Sequence, residues 1–363
     1  MKKVLAMILC ISIIGTFVGG CSPSDNTNAD SSTNVEQSGE QSETELQKVR
    51  IGVMPFMVSM PVDYIIEKGW DKEAGLDIEL VKFATGAPMN EALGAGEWDM
   101  AAIGMAMIFS MANYEGKLVA ETTDATGGLN AYIRSDSEIA KVKGYNPTYP
   151  DLYGDPDSLR GATFLLPTGT SAQLNAIKWV EKLGLKETDI NIVNMEYGQA
   201  YQAFLTGQGD VLCAAPPYNF QCEEQGWLVG ASMKDLGVQV YDGVIAADQF
   251  YEEHPDLVQK FVTLMYRAGK DFKDEDTAVR ELMKFYKNNG KESAESDVRN
   301  EVRLRPYFTA DELLNNPNYK FGAGSVEIAE FYTGTGQLEN EKVSIVESCL
   351  IDKFLKQANE DLR

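Results

Sequence analysis

The sequence predicts an α/β protein built as two similar lobes between which the chain crosses twice, and three observations predict it. Short apolar strands alternate with helical stretches in two separate blocks, the blocks share one local signature, and beyond Gln249 the pattern turns helical. Alternation of this kind implies right-handed βαβ units and largely parallel sheets.

The first block opens with Val49-Arg50-Ile51-Gly52-Val53, a β-rich run. A helix follows, with Pro61 near its start, Val62, Ile65 and Ile66 on one face, and Gly69 at its end. Residues 77–81 and 100–103 read as strands around a helix at 88–93. In the second block, 162–166, 190–194 and 210–214 read as strands, 171–183 and 199–205 as helices, and 227–230 as a last short strand. The shared signature is Ala92-x3-Gly96-x2-Asp99 in the first block and Ala203-x3-Gly207-x2-Asp210 in the second. The Ala packs a helix end, the Gly supplies a left-handed cap, and the Asp turns the chain into the next strand. One copy is an ordinary helix-to-strand connection, whereas two copies at equivalent points describe two lobes built alike.

The extended stretches 120–134 and 238–247 suit the crossings, which leaves the first lobe discontinuous. Residues 48–130 and 246–363 are expected to form lobe I, and 131–245 lobe II. In the later helical region Leu257, Val258, Phe261, Val262, Met265 and Tyr266 form an apolar stripe, with Pro255 in the first turn. Amphipathic stretches at 278–286, 325–332 and 351–358 should pack back on lobe I. A proline-rich segment at 143–159 either rims a cleft or is a surface excursion.

At the N-terminus, Lys2 and Lys3 precede an apolar run to Val18, shorter than the roughly 20 residues of a spanning helix. Residues 1–20 therefore read as a cleaved export signal. Val18-Gly19-Gly20-Cys21 resembles the lipobox of bacterial lipoproteins, in which the cysteine carries a diacylglycerol. Residues 21–47 are polar and are expected to act as a disordered tether, with a reach of about 25–30 Å. The formal net charge of −23 argues against nucleic acid as a partner, because phosphate binding requires Lys and Arg in excess.

Enzymatic signatures are missing from the sequence. His254 is the single histidine, and there is no Gly-x-Ser-x-Gly elbow, P-loop or strand-following Gly-x-Gly-x-x-Gly. No catalytic residue, metal site or cofactor is expected. Cys213, Cys222 and Cys349 cannot close a disulfide framework; a Cys213–Cys222 bridge and buried free thiols are both open, with free thiols favoured.

One segment has a physical rationale for binding. Pro167-Thr168-Gly169-Thr170-Ser171 links a strand to a long helix. Thr170 and Gln173 fit a capping box, so part of the signal is helix initiation. A helix start at the carboxyl end of a parallel strand also offers unpaired N–H groups to an anion, with the hydroxyls of Thr168, Thr170 and Ser171 beside them. Other strand ends should line the same crevice: Met54, Pro55 and Phe56; Thr85 and Gly86; Gly104 and Met105; Tyr197; and Ala215, Pro216, Pro217 and Tyr218. At the crossings, Thr126, Gly127 and Asp242 are candidate hinge or contact residues. For the Met and aromatic side chains, core packing is the competing account.

These features together resemble the nitrate/sulfonate/taurine and thiamine-pyrimidine-precursor group of ABC transporter substrate-binding proteins. The resemblance rests on Ile51-Gly52-Val53, on Gly86 followed by the first signature, on Leu159-Arg160-Gly161-Ala162 leading to Thr168-Gly169-Thr170-Ser171, on the second signature and on Pro216-Pro217. It implies the type II periplasmic-binding-protein fold, a small-molecule ligand held between closing lobes, and a permease and ATPase as partners. It also implies an extracytoplasmic, monomeric protein, here lipid-anchored to the outer face of the bacterial cytoplasmic membrane. A small organic anion, sulfonate-like or carboxylate, is the expected ligand. A pyrimidine- or amine-type nutrient, or a sensing role uncoupled from transport, is the alternative.

Overall fold

A computed structural model describes residues 46–363. The expected export segment, Cys21 and nearly all of the 21–47 tether lie outside the described residues.

Two five-stranded sheets carry the architecture. The strands are β1 (Gln47–Val53), β2 (Leu76–Lys82), β3 (Met100–Ile103), β4 (Lys117–Asp124), β5 (Asn130–Ile133), β6 (Thr163–Leu166), β7 (Asn191–Asn194), β8 (Val211–Ala214), β9 (Leu228–Ser232) and β10 (Tyr241–Ala246). The first sheet has the order β2-β1-β3-β10-β4 and the second β7-β6-β8-β5-β9. In each, three parallel strands are followed by an antiparallel one in fourth place: β10 runs against β3 and β4, and β5 against β8 and β9. That fourth strand is the one the chain enters directly after each crossing, so the lobes exchange equivalent strands.

Both sheets are thus mixed rather than parallel throughout. The crossings also narrow to residues 125–129 and 233–240, and β10 joins the first sheet although residues up to 245 were assigned to lobe II from the sequence. β4 carries Glu121, Thr122 and Thr123 in the interior, so its polar residues hide a buried strand from a hydrophobic pattern.

The repeated signature explains the matching lobes in atomic terms. Gly96 and Gly207 take φ of 68° and 90°, the left-handed region that glycine enters without cost. The next amide reaches back five residues in both copies, Glu97 N–H to Ala92 C=O at 3.0 Å and Gln208 N–H to Ala203 C=O at 3.0 Å, closing each helix with a Schellman-type bond. Each Asp then clasps the neighbouring first strand. Asp99 accepts from Arg50 N–H at 2.7 Å, and Asp210 accepts from Thr163 N–H at 2.8 Å.

Helices cover the sheets and bury a core led by Trp98, Trp179, Phe164 and Phe261. The striped helix Pro255–Asp271 packs against β4 and the helix Lys353–Asp361. Its Leu257, Val258, Phe261, Val262, Met265 and Tyr266 are all buried, as the 3.6-residue period requires. The 143–159 segment packs on lobe II, where Tyr153 accepts from Trp179 Nε1 at 3.0 Å. Cys213, Cys222 and Cys349 are free, buried thiols. Among the described residues, no helix is long and apolar enough to cross a membrane.

Candidate functional site: the interlobe cavity

Strand ends from both sheets converge on a cavity of about 70 Å³ between the lobes. Lobe I contributes Met54 and Phe56 after β1, Val58, Thr85 after β2, and Gly104, Met105 and Ala106 after β3. Lobe II contributes Thr170, Ser171, Tyr197 and Ala215. Ala125, Leu129 and Val240 come from the crossings, Asp242 from β10, and Arg305 from the C-terminal region. The crossings hold each other where they meet the cavity: Ala125 N–H donates to Val240 C=O at 2.8 Å, and Val240 N–H donates to Thr126 Oγ1 at 3.0 Å.

Ten of the sequence-nominated residues line this space: Met54, Phe56, Thr85, Gly104, Met105, Thr170, Ser171, Tyr197, Ala215 and Asp242. The other nine support it from behind or lie aside. Pro55 offers its carbonyl to Lys291 Nζ. Gly86 starts a helix pressed on Ala106, where a Cβ would come within 2.4 Å of the Ala106 Cβ. Thr126 bonds the opposite crossing, and Gly127 sits under the carbonyl of Leu304. Pro216 packs on Gly128, Pro217 caps the helix Tyr218–Glu224, and Tyr218 stacks on Tyr197 with centroids 6.4 Å apart. The proline-rich 143–159 segment lines none of it.

The helix start is smaller as an anion nest than its sequence implies. Thr168 N–H is already taken by Asn194 Oδ1 at 3.0 Å, and Gly169 N–H by Gln173 Oε1 at 2.8 Å. Thr170 Oγ1 caps the helix Ser171–Lys182 by accepting from Ala172 N–H. Among the described residues, the backbone N–H groups of Thr170 and Ser171 have no acceptor, and both residues face the cavity. Two donors at the positive end of a 12-residue helix are therefore left for a guest.

The opposite wall holds buried charge. Arg305 Nη2 donates to Asp242 Oδ2 at 2.8 Å, and its Nη1 lies 3.6 Å from Glu301 Oε1. Glu301 accepts from Tyr286 OH at 2.8 Å on each oxygen. Burial pushes Asp242 up to about 6 and Glu301 up to about 7, with Arg305 pulling both back. Among the described residues, Arg305 Nε is buried without an acceptor, and Asp242 Oδ1 receives no donor. Gly104 leaves that oxygen open, since a Cβ there would lie 3.1 Å from it.

An aromatic circuit closes one side. Phe56 meets Tyr197 edge-on at 5.7 Å, and Lys291 Nζ lies 3.9 Å from the Phe56 ring centroid and 5.4 Å from that of Tyr218. Desolvation depresses the Lys291 ammonium to about 8. On another side Thr85 Oγ1 donates across the cleft to Glu196 Oε1 at 3.2 Å.

Sequence reading missed Val58, Ala106, Ala125, Leu129, Val240 and Arg305. Ala106 and Ala125 directly adjoin the nominated Met105 and Thr126. Arg305 carried no local signal. It follows an amphipathic stretch directly before Pro306, and its partner Asp242 is 63 residues away.

Comparison with known proteins adds an independent line. The family model described as the NMT1-like family matches residues 42–285. A Brachyspira hyodysenteriae protein named as an ABC transporter periplasmic binding protein is 33% identical over 321 residues, spanning 88% of this chain and 92% of that one. A Bacillus subtilis protein named as an aliphatic sulfonates-binding protein is 22% identical, over 87% of this chain and 90% of its own. The alkanesulfonate-binding protein of Xanthomonas axonopodis pv. citri, solved with MOPS, superposes with a TM-score of 0.66 at 17% identity, covering 85% of this chain and 99% of that one. The nitrate-binding protein of Synechocystis PCC 6803 gives 0.67 at 14% identity, covering 88% and 90%. Likeness at these identities establishes the shared fold.

Proposed function

This chain belongs to the NMT1-like family, among the periplasmic solute-binding proteins of ABC importers, and on that premise we propose that its interlobe cavity captures a small organic anion, sulfonate-like or carboxylate. Its relatives are binding proteins, not enzymes, and it carries their fold, with a small-molecule ligand and a permease and ATPase as partners. The observation that carries the ligand reading is the pair of acceptor-free N–H groups at Thr170 and Ser171. A carboxylate or sulfonate head satisfies both while gaining the field of the helix end. The Met54, Phe56, Met105 and Leu129 side chains suit the organic remainder, and the small cavity favours a guest of few heavy atoms. Arg305 adds positive charge on the far wall, where Asp242 and Glu301 lie beside it.

The anchoring at Cys21, the 21–47 tether and the monomeric state complete the proposal: a lipid-held receptor that loads solute outside the cytoplasmic membrane. A second reading draws on Asp242 Oδ1, whose lack of a protein donor suits an amine or aminopyrimidine N–H. A thermal-shift screen separates the two. A ligand at about 100 times its Kd adds about 2.7 kcal/mol, a readable rise in Tm. Organic sulfonates or carboxylates are expected to raise it. Stabilisation by amines or aminopyrimidines alone would replace this reading with the second.

A further inference from the structure

The family match ends at residue 285, yet part of the chain beyond it touches lobe II beside the cavity. The helix Ala323–Gly334 packs on lobe I, against the helices Met107–Tyr114 and Lys342–Ser348, with Phe109 and Tyr332 rings 5.0 Å apart. From that base, two side chains reach across. Lys178 Nζ of lobe II lies 3.9 Å from the centroid of the Phe331 ring, a cation–π distance. Gln337 Nε2 donates to Glu187 Oε2 of lobe II at 3.2 Å.

Gln337 is held for this contact. Its own N–H and that of Leu338 both donate to Tyr332 C=O, at 2.8 and 3.1 Å, and Leu338 is buried. Glu187 passes the contact on: its other oxygen accepts from Gln173 Nε2 at 3.0 Å, and Gln173 Oε1 accepts from Gly169 N–H at 2.8 Å. Three hydrogen bonds thus link the C-terminal segment to the residue preceding Thr170 and Ser171. Gln173 is buried, so its amide has few alternative partners if Glu187 shifts.

We infer that residues 331–338 form an interlobe latch in which Gln337, acting through Glu187 and Gln173, is a positioning residue for the ligand-binding helix start. Gln173 occupies the Gly169 amide and fixes the turn that points the Thr170 and Ser171 amides at the cavity. The latch spans the two lobes, because Gln337 and Phe331 belong to the lobe I side and Glu187 and Lys178 to lobe II. Closure and the geometry of the ligand donors are thereby coupled. This device regulates the site assigned above and rests on that assignment for its purpose, but not for its existence.

The test is amide hydrogen exchange on the full-length protein without any ligand, read at Gly169, far in sequence from the substitution. Gln337→Ala is expected to speed Gly169 exchange by about fivefold or more, as loss of a supporting hydrogen bond raises local opening. Gln337→Lys, which sets an ammonium against Glu187, is expected to slow it below wild type. Phe331→Leu should act in the same direction as Gln337→Ala. Amides of β1 and β6 serve as the internal reference, and their protection should not change. Faster exchange confined to 331–338, with Gly169 unaltered by either Gln337 variant, would overturn the latch. Because no guest is added, failure here leaves the anion reading intact, and failure of the anion screen leaves this result standing.

Discussion

Replacing Arg305 with Met tests the buried charge wall. The guanidinium is the partner of Asp242 at 2.8 Å and neighbours Glu301 at 3.6 Å, and all three are buried. Removing one member of a buried pair costs about 3–5 kcal/mol, because the remaining charge has lost its compensation. The cost should depend on pH in a definite direction. Asp242 in the folded protein titrates at about 6, held down from a higher value by Arg305. Without Arg305 that pKa rises further, so the variant binds a proton that the wild type has released. Below about 6 both folded forms are protonated at Asp242 and the gap between them is constant; above it the gap widens by about 1.4 kcal/mol per pH unit. Over two units the Asp242 contribution therefore grows by about 2.7 kcal/mol, and Glu301, also held down by Arg305, adds to the penalty in the same direction above about 7. Urea unfolding of both proteins between roughly pH 5 and 8 reads this out through the midpoint and slope. A loss below about 1 kcal/mol, or one that does not change across that window, would refute the picture of a compensated buried pair.

Other consequences follow from the same physics. Asp99→Ala should cost about 1.5–3 kcal/mol, because it removes the carboxylate partner of the Arg50 guanidinium as well as the acceptor of a part-buried backbone N–H, whereas Asp210→Ala, which serves an exposed N–H, should cost about 0.5–1.5 kcal/mol. The two sites lie in different sheets, so denaturant melts of the double variant should give the sum; strong non-additivity would contradict independent lobes. Glu121 is pushed up to about 7 by burial, while Tyr319 OH at 2.5 Å holds it down. A raised carboxyl stabilises the fold below its unfolded pKa and loses that contribution as pH rises through about 7. Glu121→Gln removes this slope, so its Tm relative to wild type should climb as pH rises from about 4.5 to about 7 and level off above; a constant difference across that window would count against the assignment.

The parts legible in the sequence are those that depend on short-range periodicity. The alternation around Ile51, Ala101, Leu165 and Leu212 located seven of the ten strands, and the paired Gly96 and Gly207 caps disclosed the repeat. Capping chemistry at Thr170 located the long helix and its acceptor-free amides. What escaped depends on contacts distant in sequence. β4 was obscured because Glu121 and Thr123 are buried by partners that arrive from Tyr319, Gly322 and β10. The anion nest looked larger because nothing local announces that Asn194 and Gln173 consume the Thr168 and Gly169 amides. Arg305, Lys291 and Gln337 reach the interlobe region only through the fold, from loops and helix ends with no pattern of their own. Burial of charge is a tertiary property, and a hydrophobic period does not encode it.

The central claim is that backbone amides at one helix start hold the guest, and a proline can remove one of them. Ser171 is the first residue of its helix, where proline is tolerated, and Thr170 before it is already extended at φ −127° and ψ 174°, as a residue preceding proline must be. Ser171→Pro therefore deletes the N–H and the hydroxyl, while Ser171→Ala deletes the hydroxyl alone. Calorimetric titration of both variants with the organic anion that most stabilises the wild type should give an affinity for the proline variant at least about tenfold below that of the alanine variant, one charge-assisted hydrogen bond being worth roughly 1.5–3 kcal/mol. Equal affinities, with both proteins folded, would contradict the account.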